Sequence, residues 1–370
     1  MKVFHLTSVH ARYDNRVLNK QCVSLAKHFD TTLIVADGQG VEDYNGVQIL
    51  DVGKPRNRLS RMVFKTLSVF NLSRKQGADV YQIHDPELLP LGFVYSLLGK
   101  KVIYDIHEDY ITSISIKSYM PIWLRKSLAF VFCGLEKLLS FKMYRLIAEK
   151  YYSRRFPSAL PILNYPAKQA LNGIEAFDSS SSVLIYTGNV TPDRGAIKTA
   201  EIARNLKNFN FKLVGKCNES TYSKLSLDGL DNFELVGLNR YVPFDEITKH
   251  YQQGALAGMA LFPVNQHYAE KELTKFFEYM AVGLPIIASN FPVWKDLIEG
   301  NGIGICVDVD SHNEIASAIN WLKDHPEEAS AMGLRGKALV ESTLNWETEF
   351  SKLLNLYKEI ENDLVGKKVL

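Results

Sequence analysis

Cysteine is scarce and scattered in this 370-residue sequence: Cys22, Cys133, Cys217 and Cys306 stand far apart, with no paired spacing. That pattern argues against a disulfide framework and a zinc site, and it fits a reducing cytoplasm. Long apolar runs are also missing. Stretches such as 128–132 fall far short of the ~20 residues that a membrane-spanning helix requires. The N-terminus, MKVFHLTSVH, enters a strand directly, with no apolar stretch of signal-peptide length behind it, so the expected location is the cytoplasm. No G-x-G-x-x-G follows the first strand of either half, which argues against a pyridine-nucleotide dehydrogenase. Charge of one sign is not in excess either, the net charge being +2. No repeat of solenoid period is present.

What is present is a repeated alternation of short apolar runs and amphipathic stretches, the pattern of helix-covered parallel sheets. At this length roughly two domains are expected. In the first half the expected strands are 3–8, 32–36, 47–52, 80–84, 102–106, 145–148 and 160–163, with a helix at 17–28. The pattern restarts at Val183, with strands at 183–186, 212–214, 234–236, 259–262, 285–288 and 304–307. The expected division is a first domain over 1–168, a polar linker over 169–182 and a second domain over 183–345. A last amphipathic segment, 346–370, has no strand after it and is expected to fold back on the first domain. Ligands of such sheets bind beyond the carboxyl ends of the strands. Polar residues gather there: His84 and Asp85, His107 and Glu108, Gly188 and Asn189, Gly215 and Lys216.

The most informative segment is EKELTKFFEYMAVGLPIIAS, from Glu270 to Ser289. Glu270 and Glu278 are carboxylates able to accept from two hydroxyls at once, as a sugar or ribose diol offers, and Lys275 lies between them as a cation for phosphate. Phe276, Phe277 and Met280 face a core, which places Glu278 inside a helix and Glu270 in the loop before it. In VLIYTGNVTPDRGAIKTAEIA a strand and a glycine turn lead to a helix that begins near Arg194 and Gly195. A helix N-terminus and an arginine together suit a phosphate. A lone helix-start arginine or a lone pair of glutamates more often marks a solvated face; their joint placement at one end of a sheet points to a nucleotide-sugar.

Taken together, TGNVTPDRG, FKLVGK, FELVGL, the Glu270-to-Glu278 segment with GLPIIAS, and GIGICVDVD resemble the retaining glycosyltransferases of family 4. FHLTSVHARYDNRV, YQIHDPELLPLG, KVIYDIHEDY and ILNYP in the first half resemble bacterial members that build surface polysaccharides: capsule, lipopolysaccharide or exopolysaccharide. The resemblance implies an α/β, GT-B fold, with two Rossmann-like domains facing across a cleft. It also implies a nucleotide-sugar as co-substrate, no further cofactor, no metal, and a glycan or lipid-linked acceptor. Glu270 would accept from donor-sugar hydroxyls, Glu278 would hold the ribose, and Arg194 and Lys275 would neutralise the departing diphosphate. Gly188, Asn189, Gly215 and Lys216 complete the implied donor site, and His107 would reach the sugar from the first domain. Many members carry arginine where Asn189 stands, so Lys275 is the substitute cation here. The first loop lacks the paired glycines of many members, and Asp14 and Arg16 are expected to touch substrate instead, with His84 left open. Asp85 before Pro86 reads as a helix cap. Asp308 and Asp310 read as a turn rather than a metal motif. An epimerase or hydrolase on this scaffold, and a partner that binds without catalysis, are the competing readings.

The first half is also basic where it is aromatic. From 52 to 78 there are seven Lys or Arg and no acid, and 120–142 mixes Trp123, Phe130 and Phe132 with Arg125, Lys126, Lys137 and Lys142. Such segments suit an anionic membrane surface at the inner face of the cytoplasmic membrane. Aromatic residues are few in the first stretch, so nucleic acid is not expected.

Overall fold

A computed structural model describes residues 1–108 and 121–368, so the last two residues of KVIYDIHEDY and the first of the 120–142 stretch lie outside the described residues. The chain forms two compact units, residues 1–164 with 346–370, and residues 165–345. The boundary falls between Asn164 and Tyr165. The polar stretch 169–182 lies within the second unit, where Phe177 forms a bridge to Ala255.

The first unit is built on β1 (Lys2–Leu6), β2 (Asp30–Val35), β3 (Glu42–Tyr44), β4 (Val47–Asp51), β5 (Val80–Ile83), β6 (Lys101–Ile106), β7 (Tyr144–Ile147) and β8 (Leu160–Pro161). Their order in the sheet is β3-β4-β2-β1-β5-β6-β7-β8. All neighbours are parallel except β3 and β4, an antiparallel edge hairpin. The sequence pattern overlooks β3, whose three residues Glu42, Asp43 and Tyr44 carry no apolar alternation. Both faces of the sheet are covered, as a parallel sheet requires. Phe4, Leu6, Tyr81, Ile83, Tyr104 and Ile106 pack on one side, and Leu33, Val35, Val47 and Ile49 on the other with Val17, Leu18 and Cys22. The final helix, Trp346–Lys368, belongs to this unit. Leu353, Tyr357 and Ile360 are buried along it, and the Tyr357 hydroxyl donates to Gln82 Oε1 at 2.6 Å.

The second unit contains β9 (Val183–Thr187), β10 (Asn210–Cys217), β11 (Phe233–Leu238), β12 (Ala257–Ala260), β13 (Ile286–Ser289) and β14 (Gly304–Val307). They are all parallel, in the order β11-β10-β9-β12-β13-β14. Each sheet therefore reverses direction after its first strand, between β1 and β5 and between β9 and β12. The crevice at such a reversal, beyond the carboxyl ends of the strands, is where these sheets receive ligands.

Candidate active site

In the second unit the helix Thr274–Ala281 places Lys275, Phe276, Phe277, Tyr279 and Met280 inward. Its register is locked by tyrosine. Gly258 on β12 leaves room for the Tyr279 ring, since a Cβ there would meet Tyr279 Cδ2 at 2.4 Å. The Tyr279 hydroxyl then accepts from Thr187 N–H at 3.1 Å and donates to the Met259 carbonyl at 3.1 Å. Tyr251 meets Thr187 Oγ1 at 2.9 Å and donates to Glu278 Oε2 at 3.1 Å. The end of β9 and the carboxylate of Glu278 are thus held by one network, with Glu278 half-buried.

Lys275 is buried, with Nζ 4.8 Å from the centre of the Tyr186 ring and 5.1 Å from that of Phe262. A Cβ at Gly188 would stand 3.6 Å from this Nζ, so the amine abuts the turn after β9. No carboxylate forms an ion pair with it among the described residues. Burial and the neighbouring Arg194 pull its pKa down to about 7, against the opposing attraction of Glu278. Arg194 ends a single 3₁₀ turn, Pro192–Arg194, directly before the helix Ala196–Asn205. Its Nε donates to the Tyr268 hydroxyl at 3.2 Å, and Tyr268 donates in turn to Asp193 Oδ2 at 3.0 Å. Two cations and a helix N-terminus therefore meet at the switch point of this sheet, an arrangement that a di-anion would relieve.

The backbone beside them is bare. A Cβ at Gly195, where φ is +80°, would lie 1.8 Å from the Leu261 carbonyl oxygen. One at Gly215 would lie 1.9 Å from that of Gly188, and one at Gly237 2.4 Å from that of Gly215. Glycine is obligatory on β10 and β11 as well as after β9, and the strand ends approach one another with no side chain between. Gly237 is a residue the sequence reading passed over, although FELVGL repeats the glycine of FKLVGK. Asn189 and Lys216 are exposed at the same rim, and Glu270 is half-buried at the end of the helix Gln266–Ala269. The Asn189 carbonyl accepts from the Tyr186 hydroxyl at 2.8 Å.

In the first unit His5, His84 and His107 converge at the carboxyl ends of β1, β5 and β6. His5 Nδ1 lies 2.9 Å from His84 Nε2, and His84 Nδ1 lies 3.2 Å from His107 Nε2. Asp105 Oδ2 is 2.9 Å from His107 Nε2 and 3.4 Å from His84 Nδ1. Asp105 is fully buried; burial alone would raise its pKa, but Arg16 and His107 hold it well below the carboxylate range. A carboxylate only accepts, so His107 Nε2 and His84 Nδ1 carry the protons. His84 Nε2 then accepts from His5 Nδ1, which leaves His5 Nε2 bare, and that atom is buried without a partner. Burial brings the His84 pKa down to about 4, in spite of Asp105. The network thus orients the His107 ring, with Nε2 held on Asp105.

Two expectations are corrected here. Arg16 does not extend from the loop: it is buried, with Nη2 2.7 Å from Asp105 Oδ1 and Nη1 donating to the Ile162 carbonyl at 2.7 Å. Asp14 caps the helical stretch Asn15–Cys22, accepting from Arg16 N–H and Val17 N–H at 2.9 Å. Arg16 builds the fold because a buried Asp105 requires a buried cation, and Asp14 does so as a helix cap. The sequence shows that Asp105, inside the apolar strand KVIYDI, needs a partner, but not which residue supplies it. Asp85 also differs, since its side chain caps no helix. It accepts instead from Thr7 Oγ1 at 2.8 Å and Val9 N–H at 3.1 Å, and pairs with His10 Nδ1 at 2.8 Å. Burial opposes its charge, but His10 and the Ser8 amide bring its pKa to about 2.

His84, Asp105 and His107 offer three ligand atoms within 4.8 Å of one another. Their chemistry does not fit a divalent cation. Asp105 already accepts from Arg16 and, at 2.7 Å, from the Gln21 amide, and a metal there would face a guanidinium. In the second unit Asp308 and Asp310 form the expected turn, Asp308 Oδ1 accepting from Asp310 N–H at 2.9 Å.

Residues 168–339 match the family described as "Glycosyl transferases group 1", a span just under half of the chain. A GDP-mannose-dependent alpha-(1-6)-phosphatidylinositol monomannoside mannosyltransferase of Mycobacterium tuberculosis is 29% identical over 121 residues. That match covers 32% of this chain and 31% of the relative, so the chain spans about a third of the curated relative's length. Among solved structures, sucrose-phosphate synthase from Thermosynechococcus elongatus superposes with a TM-score of 0.76 at 14% identity, over 98% of this chain and 100% of that one. Anabaena HepE, solved in complex with UDP and glucose, gives 0.70 at 11% identity over 97% and 99%. The chain has the GT-B fold, with two Rossmann-like α/β units.

Proposed function

We propose that this chain is a retaining glycosyltransferase, which moves a sugar from a nucleotide-sugar to a glycan or lipid-linked acceptor in bacterial surface-polysaccharide synthesis. The observation that carries the reading is Lys275, buried beside Arg194 with no carboxylate paired to it among the described residues, at the switch point of the second sheet. A nucleoside diphosphate supplies the missing negative charge. The family match over 168–339 and the UDP held by HepE support that donor class. The mannosyltransferase relative, whose name includes a phosphatidylinositol, supports a lipid-linked acceptor.

Arg194, Lys275 and the amides of the helix Ala196–Asn205 would take the charge of the diphosphate as the bond from sugar carbon to phosphate oxygen breaks. Glu278 would hold the ribose diol and Glu270 the sugar hydroxyls. The acceptor oxygen bonds to the sugar carbon on the face that the diphosphate leaves, and the hydroxyl proton passes to that diphosphate. No carboxylate nucleophile is needed for this course, and neutralisation by Arg and Lys makes a metal unnecessary. The basic, apolar segments 52–78 and 120–142 suit peripheral contact with an anionic membrane.

The test is proton NMR of the whole chain acting on UDP- and GDP-sugars, with and without a lipid extract as acceptor. Donor is expected to be consumed when acceptor is present, giving a product of the donor's anomeric configuration, and EDTA is expected to leave the rate unchanged. Steady release of free sugar without acceptor would instead favour the hydrolase. Donor binding with no turnover would favour a partner that binds without catalysis.

A further inference from the structure

The first unit carries a cavity of about 720 Å³ that begins at His10, Asp85 and His107. It runs between the helical stretch Arg61–Lys65 and the helix Ile122–Leu139, where Met62, Val63, Phe132 and Leu135 line it. Its polar end and its apolar walls have different chemistry, and one small polar sugar fills only the first. Both helices also carry exposed apolar side chains outside the cavity: Phe64 is 66% exposed, Trp123 70% and Phe130 82%. Its charge is one-sided on the shorter helix. Arg58 and Arg61 line the cavity, and Lys54, Arg56 and Lys65 stand on the same segment, which has no acid from 52 to 78. Of the lining carboxylates Asp85, Glu87, Glu108 and Glu136, three are held by ion pairs: Asp85 with His10 at 2.8 Å, Glu87 with Arg61 at 3.1 Å and Glu136 with Arg155.

We infer that this groove receives the apolar chain of an anionic, phosphate-bearing lipid acceptor, with the chain against Met62, Val63 and Leu135. Its phosphate meets Arg58, and its sugar end lies at His107. The inference rests on the glycosyl-transfer reading and deepens it, because it commits the acceptor to an amphiphile rather than a soluble glycan. A phosphate beside a guanidinium is recognised by paired N–H donors, and an apolar chain is held by the area it removes from water.

Monomeric dodecyl phosphate is the probe, titrated calorimetrically into the whole chain, with inorganic phosphate and dodecyltrimethylammonium as controls. Dodecyl phosphate is expected to bind and both controls to bind far more weakly. Val63→Asp and Leu135→Asp, both at exposed positions that the fold does not need, are expected to weaken it about tenfold or more, since each removes several apolar groups from contact. Arg58→Ala is expected to narrow the preference for phosphate over ammonium. Equal binding in both aspartate variants, or equal binding of inorganic phosphate, overturns the inference. UDP and GDP titrated into the same variants separate the two claims: their binding depends on the second unit, and its loss in the wild type would sink the donor reading alone.

Discussion

Lys275 concentrates the chemistry of the second unit, and its protonation sets a pH dependence. Its pKa in the empty site is about 7, against an ordinary value of 10.5. Between those values the unfolded chain holds a proton that the folded chain has lost, so the contribution of this group to stability rises with pH across that window. Ligand binding runs the other way. A bound diphosphate favours the cation, so above pH 7 each binding event takes up a proton. Affinity for a nucleoside diphosphate is expected to fall as pH climbs from roughly 7.5 to 9, by at most about tenfold per pH unit. Lys275→Arg keeps its charge throughout that range and is expected to flatten the profile. Titrations of both proteins across the range check this; a wild-type profile as flat as the variant's would show that Lys275 does not meet the phosphates. Glu278, Arg194 and Tyr186 face the amine; burial pushes the Tyr186 pKa far above that window, and the Arg194 pKa is raised, so neither of those two changes charge across it.

At the scale of elements, the glycines decide how closely the strand ends can approach one another. Gly195 combines a left-handed φ of +80° with a Cβ position 1.8 Å from the Leu261 carbonyl. Gly195→Ala must therefore strain the turn and push the start of the helix Ala196–Asn205 away from β12. A cost of about 3 kcal/mol is expected, seen as a fall in the melting midpoint of roughly 6–12 °C. Thermal unfolding of the variant measures it, and an unchanged midpoint would contradict the geometry. Much of this scale was legible in advance. Thirteen of the fourteen strands lie where apolar runs stand in the sequence, because strands buried on both faces must be apolar throughout. The exception, Glu42–Tyr44, pairs by backbone alone at a sheet edge and leaves no such trace. Gly237 was passed over, but Lys275, Arg194, Glu278, Gly188 and Gly215 were readable as residues at the strand ends, because polar and glycine residues there have few structural uses. Arg16 and Asp14 were not, because a loop position does not reveal that a side chain turns inward to satisfy a buried aspartate 89 residues away. The joined histidines of β1, β5 and β6 were hidden for the same reason: only the strand order makes His5, His84 and His107 neighbours.

Across the whole molecule, the same central strand order occurs twice, in a sheet of eight strands and in one of six, and each copy places its polar residues at its own switch point. The two copies have diverged in charge. The first ends in histidines around Asp105, which orient His107; the second ends in Arg194 and Lys275, with no carboxylate paired to Lys275 among the described residues. The C-terminal helix Trp346–Lys368 completes the first copy rather than the second, through Tyr357 on Gln82 and the Trp346 indole donating to Ser24 at 2.9 Å. Gln82 in turn donates to Gln21, which donates to Asp105. The last helix is therefore linked by hydrogen bonds to the carboxylate that holds His107.

The central claim is that the cations of the second unit hold a nucleoside diphosphate. Its most direct test is calorimetric titration of UDP and of GDP into the whole chain and into Lys275→Ala. One diphosphate is expected to bind the wild type, and the variant is expected to lose about 100-fold in affinity, the loss of roughly 3 kcal/mol typical of a charge-assisted contact. Binding to neither, or equal binding to both proteins, would contradict it.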